Sequence, residues 1–259
     1  RCLLRPPPGR GQRITSVREL ARRAAAGEPA GSVGEDYAYM GLDTCAGCGL
    51  CSTACPVGID TGDLTRRLRG RRMGDTARTV NAWTGEHFGT LATASRLGLS
   101  VGHAVSGVLG DNFLSRISGG AWKKNMPHAG KAPVARSGKG DPVVYFPTCG
   151  GRIFGPADAN DKQQGDVIIE LLNRAGYAPI LPEGFDTLCC GQMLASKGMA
   201  EAADAMSKTL EAALLKASDN GRIPVIMDAS SCTARMQQYL AGRIKVYDFH
   251  EFAHDALLP

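Results

Sequence analysis

The residues with the clearest chemistry are four closely spaced cysteines, Cys45, Cys48, Cys51 and Cys55, followed directly by Pro56. The spacing C-x2-C-x2-C-x3-C-P is typical of a loop whose thiolates hold a [4Fe–4S] cluster. Zinc sites usually separate two C-x2-C pairs by a longer loop, so zinc is the weaker interpretation of this spacing. The run therefore predicts a [4Fe–4S] cluster as the cofactor of this segment.

The residues around the run favour a tightly wrapped loop that leads into a helix. Gly47 and Gly49 allow the unusual dihedrals and the close backbone approach that such wrapping requires. Pro56 prevents the loop from continuing as a helix. Asp60 or Thr61 is a typical N-terminal cap, so we expect a helix to begin there.

Positive charge is concentrated in two places, although the net charge is only +5, from 30 basic and 25 acidic residues. The first 33 residues contain seven arginines and two glutamates, and residues 66–72 contain five more arginines. Such clusters bind nucleic acid, anionic lipid or an acidic partner, or they form solvated helix faces. No aromatic residues interleave with these arginines, so nucleic acid is not an expected partner.

The composition predicts a globular protein of one or two domains in a reducing environment. The chain has 259 residues, of which 43% are hydrophobic, and its nine cysteines are not spread as in a short secreted disulfide scaffold. We therefore expect a cytoplasmic location. Residues 91–109 are apolar on balance, but Arg96 and His103 interrupt them, so a membrane span is not expected. Packing on the core is the favoured role of this segment, and peripheral contact with the inner face of a membrane stays open.

The order of the segments predicts a helical domain followed by an α/β domain. We expect an α-helical ferredoxin-like domain in front and a parallel-sheet cysteine-rich domain behind it, with a boundary near residue 135. The expected divisions are a basic tail or connector at 1–35, a helical [4Fe–4S] ferredoxin-type domain at 36–126, a linker at 127–142, and the α/β cysteine-rich domain at 143–259.

Strands and helices alternate strictly in the last third of the chain. This alternation predicts a parallel sheet with right-handed crossovers. The predicted strands are 143–146, 177–181, 224–228 and 245–247, and the predicted helices are 163–175, 200–217 and 234–240. Earlier in the chain, we expect a helix at 17–26 and only weak, glycine-interrupted helix at 74–125.

A second group of cysteines falls at the ends of these strands. Cys149 and Cys232 each follow a predicted strand, and Cys189 and Cys190 lie in the loop after another one. Because loops at the carboxyl ends of parallel strands share one edge, the four sulfurs are expected to converge there. A second iron–sulfur or metal centre is one interpretation. Buried core cysteines and a reactive dithiol are the others.

The number of clusters depends on where the first one finds its fourth ligand. In two-cluster ferredoxins the fourth cysteine of each run binds the other cluster. This chain has one run only. Either Cys55 completes the cluster of Cys45, Cys48 and Cys51, or a remote cysteine does so and Cys55 joins the strand-end group.

Taken together, these motifs resemble a known family. The chain is similar to the C-terminal half of FAD- and iron–sulfur-containing D-lactate dehydrogenases of the cytochrome-linked type. Its later motifs also resemble the cysteine-rich domain of heterodisulfide reductases and glycolate oxidase iron–sulfur subunits, although Ser-Ser-Cys232 stands where that domain has Cys-x-x-Cys. The matching segments are residues 35–39, 41–45, 49–51 and 54–59, Phe-Pro-Thr-Cys149, Cys189-Cys190-Gly191, and Asp-Ala-Ser-Ser-Cys232.

The resemblance implies the electron-transfer part of an oxidoreductase. It implies FAD on an upstream domain or subunit, oxidation of a 2-hydroxy acid such as D-lactate, and a quinone, cytochrome or thiol as the electron acceptor. A zinc-binding structural or interaction module is one alternative. A thiol–disulfide oxidoreductase that uses Cys189 and Cys190 is the other, and it leaves the first run unexplained.

The chain also contains one literal His-Glu-x-x-His match, His250-Glu251-Phe-Ala-His254. This order places two imidazoles on one helix face and is typical of zinc proteases. It lies at the end of the sequence with no third ligand after it. We interpret it as an amphipathic helix rather than as a metal site. Cys2 is not expected to be a ligand.

Overall fold

A computed structural model describes residues 10–47, 49–53, 55–135, 140–158 and 160–257. The chain divides into two compact units. The first contains the residues up to 82 together with residues 193–202, and the second contains residues 83–192 and those from 203 onward. The segment 127–142, expected as a linker, falls inside the second unit.

Most elements before residue 140 are helices. In chain order they are α1 (Arg10–Ala25), α2 (Gly31–Tyr37), a π-helical segment (Ala38–Asp43), α3 (Leu50–Thr53), α4 (Thr61–Arg72), α5 (Asp75–Glu86), α6 (Phe88–Leu109) and α7 (Asp111–Ile117). Residues 74–125, expected to be only weakly helical, thus contain three well-formed helices. Two of the glycines in α6 allow a close contact: a Cβ on Gly89 would lie 2.8 Å from the Thr187 side chain, and one on Gly102 would lie 2.2 Å from the Trp122 ring.

Strands and helices alternate from residue 141 onward. The strands are β1 (Asp141–Phe146), β2 (Tyr177–Ile180), β3 (Val225–Met227) and β4 (Val246–Asp248). The helices are α8 (Cys149–Ile153), α9 (Gln164–Arg174), α10 (Gln192–Ala195), α11 (Ala200–Ala217), α12 (Ser230–Leu240) and α13 (Phe249–Phe252), with a 3₁₀ turn at Phe185–Thr187 and a π-helical turn at Ala253–Leu257.

The four strands form one parallel sheet in the order β2-β1-β3-β4. The predicted α/β class with a parallel sheet is therefore confirmed. The chain moves from β1 to one side to form β2, and then returns to the other side of β1 to form β3. The point between β1 and β3 is a topological switch, where ligands of open parallel sheets bind.

The core of the second unit surrounds β1. Val143 and Tyr145 pack with Ile168, Leu172 and other residues of α9, β3 and α13. Val144 and Phe146 point to the opposite face and are equally buried, at 1% exposure or less. The strand is covered on both faces, which explains its continuous apolar sequence.

Two predicted boundaries at the cysteines need correction. Helix α12 begins at Ser230, four residues before the predicted start, so Cys232 lies in the first turn of a helix and not in a loop. Cys149 is likewise the first residue of α8. Ala229 is the N-terminal cap residue of α12, and its carbonyl oxygen accepts from the N–H groups of Cys232 and Thr233, so the helix begins two residues after Asp228. Helix α1 also begins earlier than expected, at Arg10.

No helix in the described part of the chain is long and apolar enough to cross a membrane. Helix α6, the apolar segment singled out from the sequence, buries Phe88, Ala92 and Leu99. It packs against α8 and the 3₁₀ turn of the same unit. Core packing is therefore one role of this helix, while Leu97 and Val108 of its other faces are exposed.

Candidate iron–sulfur sites

The first cysteine run forms a loop between the π-helical segment and α4. Cys45 is buried, and Cys51 and Cys55 are partly buried. Cys48 lies outside the described residues. Gly47 and Gly49 have φ values of +62° and +75°, in the left-handed region that favours glycine. Gly47 and Gly49 therefore adopt the unusual backbone dihedrals that their positions in the run predict.

Hydrogen-bond donors point at the sulfurs of this loop. The backbone N–H of Thr61, in the first turn of α4, donates to Cys51 Sγ at 3.1 Å. The Arg13 guanidinium donates to Cys45 Sγ at 3.5 Å. The Cys51 thiol in turn donates to Asp60 Oδ1 at 3.1 Å, and Asp60 caps α4 by accepting from the Gly62 N–H. The sulfurs of Cys45 and Cys51 therefore each accept a hydrogen bond, from α1 and from the start of α4 respectively.

Two further donors near this loop lack partners. The Thr61 hydroxyl and Arg13 Nε are buried and make no hydrogen bond within the described ranges. Buried donors are normally satisfied, so each such group requires an explanation. An anionic group held by the loop cysteines would supply the acceptors, and the donor set therefore fits a cluster with thiolate and sulfide sulfurs.

Two of the five arginines of α4 hold the loop, while Arg67, Arg71 and Arg72 are exposed. Arg69 donates to the carbonyl oxygens of Leu42 and Cys45, the latter at 2.7 Å. Arg66 donates to the Gly47 carbonyl at 2.9 Å and pairs with Asp60. Arg66 and Arg69 therefore donate to the carbonyl oxygens of the loop, a role that the sequence did not predict for them. A spacing of three residues, which places Arg66 and Arg69 on one helix face, was the available signal.

The second cysteine group gathers at the switch point of the sheet. Cys149 begins α8 just after β1, Cys232 lies at the start of α12 after β3, and Cys189 and Cys190 follow β2 through the 3₁₀ turn. The Cys189 thiol donates to Cys149 Sγ at 3.6 Å. Cys190 in turn interacts with both Cys189 and Cys232. The four sulfurs therefore form a continuous chain of contacts, and all four cysteines are unbridged.

The thiols of Cys149, Cys189 and Cys190 resist ionisation in this arrangement. The hydrogen bond with Cys189 and burial raise the pKa of Cys149 far above its ordinary value. For Cys189 the bond with Cys149 lowers the pKa, but the bond with Cys190 and burial outweigh it and raise the pKa to about 12. For Cys190 the bond with Cys189 is likewise outweighed by the bond with Cys232 and by burial, with the same result. A bound cation would reverse this preference, because metal coordination deprotonates thiols.

A buried guanidinium lies beside these sulfurs. Arg152, on α8, is 2% exposed and donates to the carbonyl oxygens of Pro147 at 3.0 Å and Leu188 at 2.5 Å. It also lies over the rings of Phe146 and Phe185. Burial lowers its pKa, while negative charge on Cys149 and Cys189 would raise it. Arg152 therefore supplies positive charge where thiolates would form.

Asp228 locks the two strand ends that carry Cys149 and Cys232. Its carboxylate accepts from the Thr148 N–H at 2.8 Å and from the Tyr145 hydroxyl at 2.7 Å. Burial, followed by the adjacent Asp228 charge, raises the pKa of Tyr145 far above its usual range, so this tyrosine stays a donor. The sequence shows Asp228 only as a strand-end residue, and its partners become visible only when β1 and β3 are adjacent.

No three His, Cys, Asp or Glu side chains surround a common point in a metal-holding arrangement within the described residues. The four strand-end sulfurs lie one after another in space and do not surround a common centre. His250 and His254 are exposed, and their rings hydrogen-bond to Asp248 and Asp255, respectively. The His-Glu-x-x-His match therefore forms no metal site with a third described side chain. Cys2 lies outside the described residues.

Comparisons of this chain with protein-family models, with curated proteins and with solved structures gave no match.

Proposed function

We propose that this chain is the iron–sulfur electron-transfer portion of a flavin-dependent dehydrogenase that oxidises a 2-hydroxy acid, with D-lactate as the favoured substrate. The observation that carries the proposal is the cysteine run whose sulfurs receive donors from Thr61 and Arg13. Cys45, Cys48, Cys51 and Cys55 would hold a [4Fe–4S] cluster, which transfers one electron at a time. The first unit is then a ferredoxin-type domain.

The surroundings of the run would tune that electron transfer. Hydrogen bonds to cluster sulfur and burial set the reduction potential of an iron–sulfur centre. The Thr61 N–H, the Arg13 guanidinium and the arginines that bind the loop carbonyls bring positive charge to the loop. Each of these groups favours the more negatively charged, reduced state, so the loop is suited to accept an electron.

The second cysteine group supports a further redox or metal centre in a cysteine-rich domain. Cys149, Cys189, Cys190 and Cys232 would be its ligands, and Arg152 would balance part of their charge. The alternative of a thiol–disulfide oxidoreductase that uses Cys189 and Cys190 is less favourable, because attack requires a thiolate, and the contacts among the thiols together with burial raise the pKa of both residues.

The remaining parts of the proposal rest on the family resemblance. The electrons would come from FAD on another domain or subunit and would pass to a quinone, cytochrome or thiol acceptor. A cytoplasmic site at the inner face of a membrane is compatible with the exposed apolar residues Leu97, Val101 and Val108 of α6.

Anaerobic reconstitution with iron and sulfide, followed by EPR of the reduced protein, tests this function. We expect a reducible cluster signal in the natural chain and in Cys2→Ser, which changes a cysteine outside both groups. The double variant Cys48→Ser with Cys51→Ser should lose the signal of the first-run cluster, because serine replaces two of its four expected thiolates, and any signal from the strand-end cysteines would remain. Failure to form a reducible cluster, or an unchanged signal in the double variant, would contradict the proposal.

A further inference from the structure

Helix α6 of the second unit is apolar on two opposite faces. The buried residues of its inner face are Phe88, Ala92, Leu99 and Gly102. At 3.6 residues per turn, Leu97, Val101 and Val108 lie on the opposite face of the helix. Their exposed fractions are 64%, 53% and 82%. Because a helix that is apolar all round is normally covered all round, the outer face of α6 requires an apolar partner.

Helix α7 adds further exposed apolar side chains beside this face. Phe113 and Ile117 are four residues apart on α7, so they share one side of that helix. Both are exposed, as is Leu109 at the end of α6. The two helices pack against each other. We call the whole set the α6–α7 surface, and its apolar residues are Leu97, Val101, Val108, Leu109, Phe113 and Ile117.

Three exposed cations lie next to these apolar residues. Arg116 is three residues after Phe113 and directly before Ile117 on α7, and Lys123 and Lys124 follow that helix. The ion pairs among the described residues include none of these three cations. Their positive charge is therefore not used within the described part of the chain.

Trp122 holds the two lysines beside the helices. Its Nε1 donates to the Asp111 carboxylate at 2.9 Å, and its ring packs on Gly102 of α6. Asp111 is the one acidic residue in the sequence from 88 to 140, against seven basic residues. Its carboxylate also accepts from the Ser106 hydroxyl. The α6–α7 surface therefore combines exposed apolar side chains with an excess of positive charge.

We propose that the α6–α7 surface binds an anionic lipid bilayer, with its apolar side chains among the acyl chains and its three cations at the phosphate groups. The assignment deepens the proposed function, on which it rests for its setting, by naming the surface through which the chain meets a membrane. Helices that lie in the plane of a bilayer interface combine an apolar face with flanking Lys and Arg. The lysine stems lie along apolar surface while the ammonium groups stay in water.

A protein partner is the competing occupant, and the cations argue against it. Protein–protein interfaces are depleted of lysine, whereas lysine is favoured at a lipid interface. A second copy of this chain would use the same surface about a twofold axis. That arrangement would bring the same cations together and would supply no carboxylate for them. A lipid phosphate supplies the missing negative charge.

Co-sedimentation of the full chain with phosphatidylcholine vesicles, with and without phosphatidylglycerol, tests the assignment. We expect binding to the vesicles that contain phosphatidylglycerol, and weaker binding as the salt rises from about 0.1 M to about 1 M. Val108→Ser with Ile117→Ser should weaken this binding at least about tenfold, because two apolar side chains no longer enter the bilayer. Leu171→Ser is the matched control, since Leu171 is also exposed but lies on α9, and it should bind as the natural chain does.

A charge variant keeps the test independent of the apolar residues. Lys123→Gln with Lys124→Gln should weaken binding to the anionic vesicles about 25-fold, which is about fivefold for each cation near an anionic surface. Its control is Lys208→Gln with Lys216→Gln, which removes two exposed lysines of α11 and should leave binding unchanged. The variants change exposed side chains only, so each should unfold thermally as the natural chain does.

Three results would overturn the assignment: no binding to the anionic vesicles, equal binding to both kinds of vesicle, or unchanged binding in either double variant. A dimer in sedimentation equilibrium that Val108→Ser with Ile117→Ser dissociates would assign the surface to a second copy instead. Iron content of the same samples separates this assignment from the proposed function. A cluster without vesicle binding refutes only the lipid surface, and vesicle binding without a cluster refutes only the electron-transfer function.

Discussion

At the scale of single residues, the strand-end site depends on one buried carboxylate. Asp228 receives the Thr148 N–H and the Tyr145 hydroxyl, and so joins the end of β1 to the end of β3. No water can replace this acceptor easily, because Tyr145 is completely buried. Because Cys149 directly follows Thr148, the hydrogen bond between the Thr148 N–H and Asp228 also fixes the position of Cys149.

Replacement of Asp228 by alanine should reduce the free energy of unfolding by about 2–4 kcal/mol, because it leaves two buried donors without an acceptor. Tyr145→Phe removes one donor together with its need for an acceptor and should cost only about 1 kcal/mol. Urea denaturation measures both changes. Glu183→Ala is the control: Glu183 and its partner Lys216 are both exposed, so the loss of this pair should have little effect. Equal losses for Asp228→Ala and Glu183→Ala would refute this role.

The carboxylate of Asp111 should make the stability of the protein depend on pH. Asp111, at the start of α7, accepts from the Ser106 hydroxyl and from Trp122 Nε1, and these bonds hold its pKa below the ordinary value. Its stabilising effect is complete above the unfolded-state pKa of about 3.9 and is lost as the pH falls through the lowered folded-state pKa. The stability difference between the natural chain and Asp111→Asn should therefore shrink below about pH 4.

Thermal unfolding between pH 3 and 6, followed by tryptophan fluorescence, measures this difference. The experiment uses a Trp83→Phe background, so that the signal comes from Trp122, which contacts Asp111 directly. Parallel loss of stability in the natural chain and the asparagine variant over the whole range would show that Asp111 does not contribute in this way.

At the scale of elements, the order of the strands brings distant cysteines together. The return of the chain past β1 places the ends of β1 and β3 side by side, and Cys149 and Cys232 with them. Gly191 then allows the Cys189-Cys190 segment to approach α11. Its φ is +79°, and a Cβ there would lie 2.4 Å from the Ala203 carbonyl oxygen.

Gly191→Ala should therefore destabilise the second unit by more than about 2 kcal/mol, since it combines backbone strain with a backbone clash. Gly150→Ala is the matched control, because Gly150 also follows a cysteine but has open space around it and lies in helix α8. That change should be neutral or slightly stabilising. Thermal unfolding of both variants compares them, and a similar midpoint for the two would contradict the close approach of Gly191 to α11.

The sequence predicts most elements of the sheet, because apolar strand runs and turn residues are local signals. The four strands lie within two residues of their predicted bounds, and α11 matches its prediction at both ends. The convergence of Cys149, Cys189 and Cys190 also follows from the sequence, through the rule for parallel strand ends. The sequence predicts Cys232 in a loop, whereas it lies in the first turn of α12. The turn after β3 is shorter than its two serines indicate.

The supporting residues could not be predicted, because their partners are distant in sequence. Arg152 reaches the Leu188 carbonyl across 36 residues, and Arg69 reaches Ser196 across 127. In the sequence these residues are only an arginine after a cysteine and one of five arginines.

At the scale of the whole molecule, each compact unit carries one cysteine group. The first unit holds Cys45, Cys51 and Cys55 in a loop with donors at sulfur, and the second holds four sulfurs at its sheet edge. Cys48, which the run needs as a ligand, lies outside the described residues. The shared chemistry of the two groups is what makes electron transfer the favoured function of the chain.

The most direct measurement is the metal content and visible absorbance of the chain purified without exposure to air. The account predicts a brown protein with at least about four iron atoms and about four sulfides per chain, and loss of about four iron atoms and four sulfides in the Cys48→Ser, Cys51→Ser variant. A colourless protein that contains zinc, or an iron content that the double substitution leaves unchanged, would contradict it.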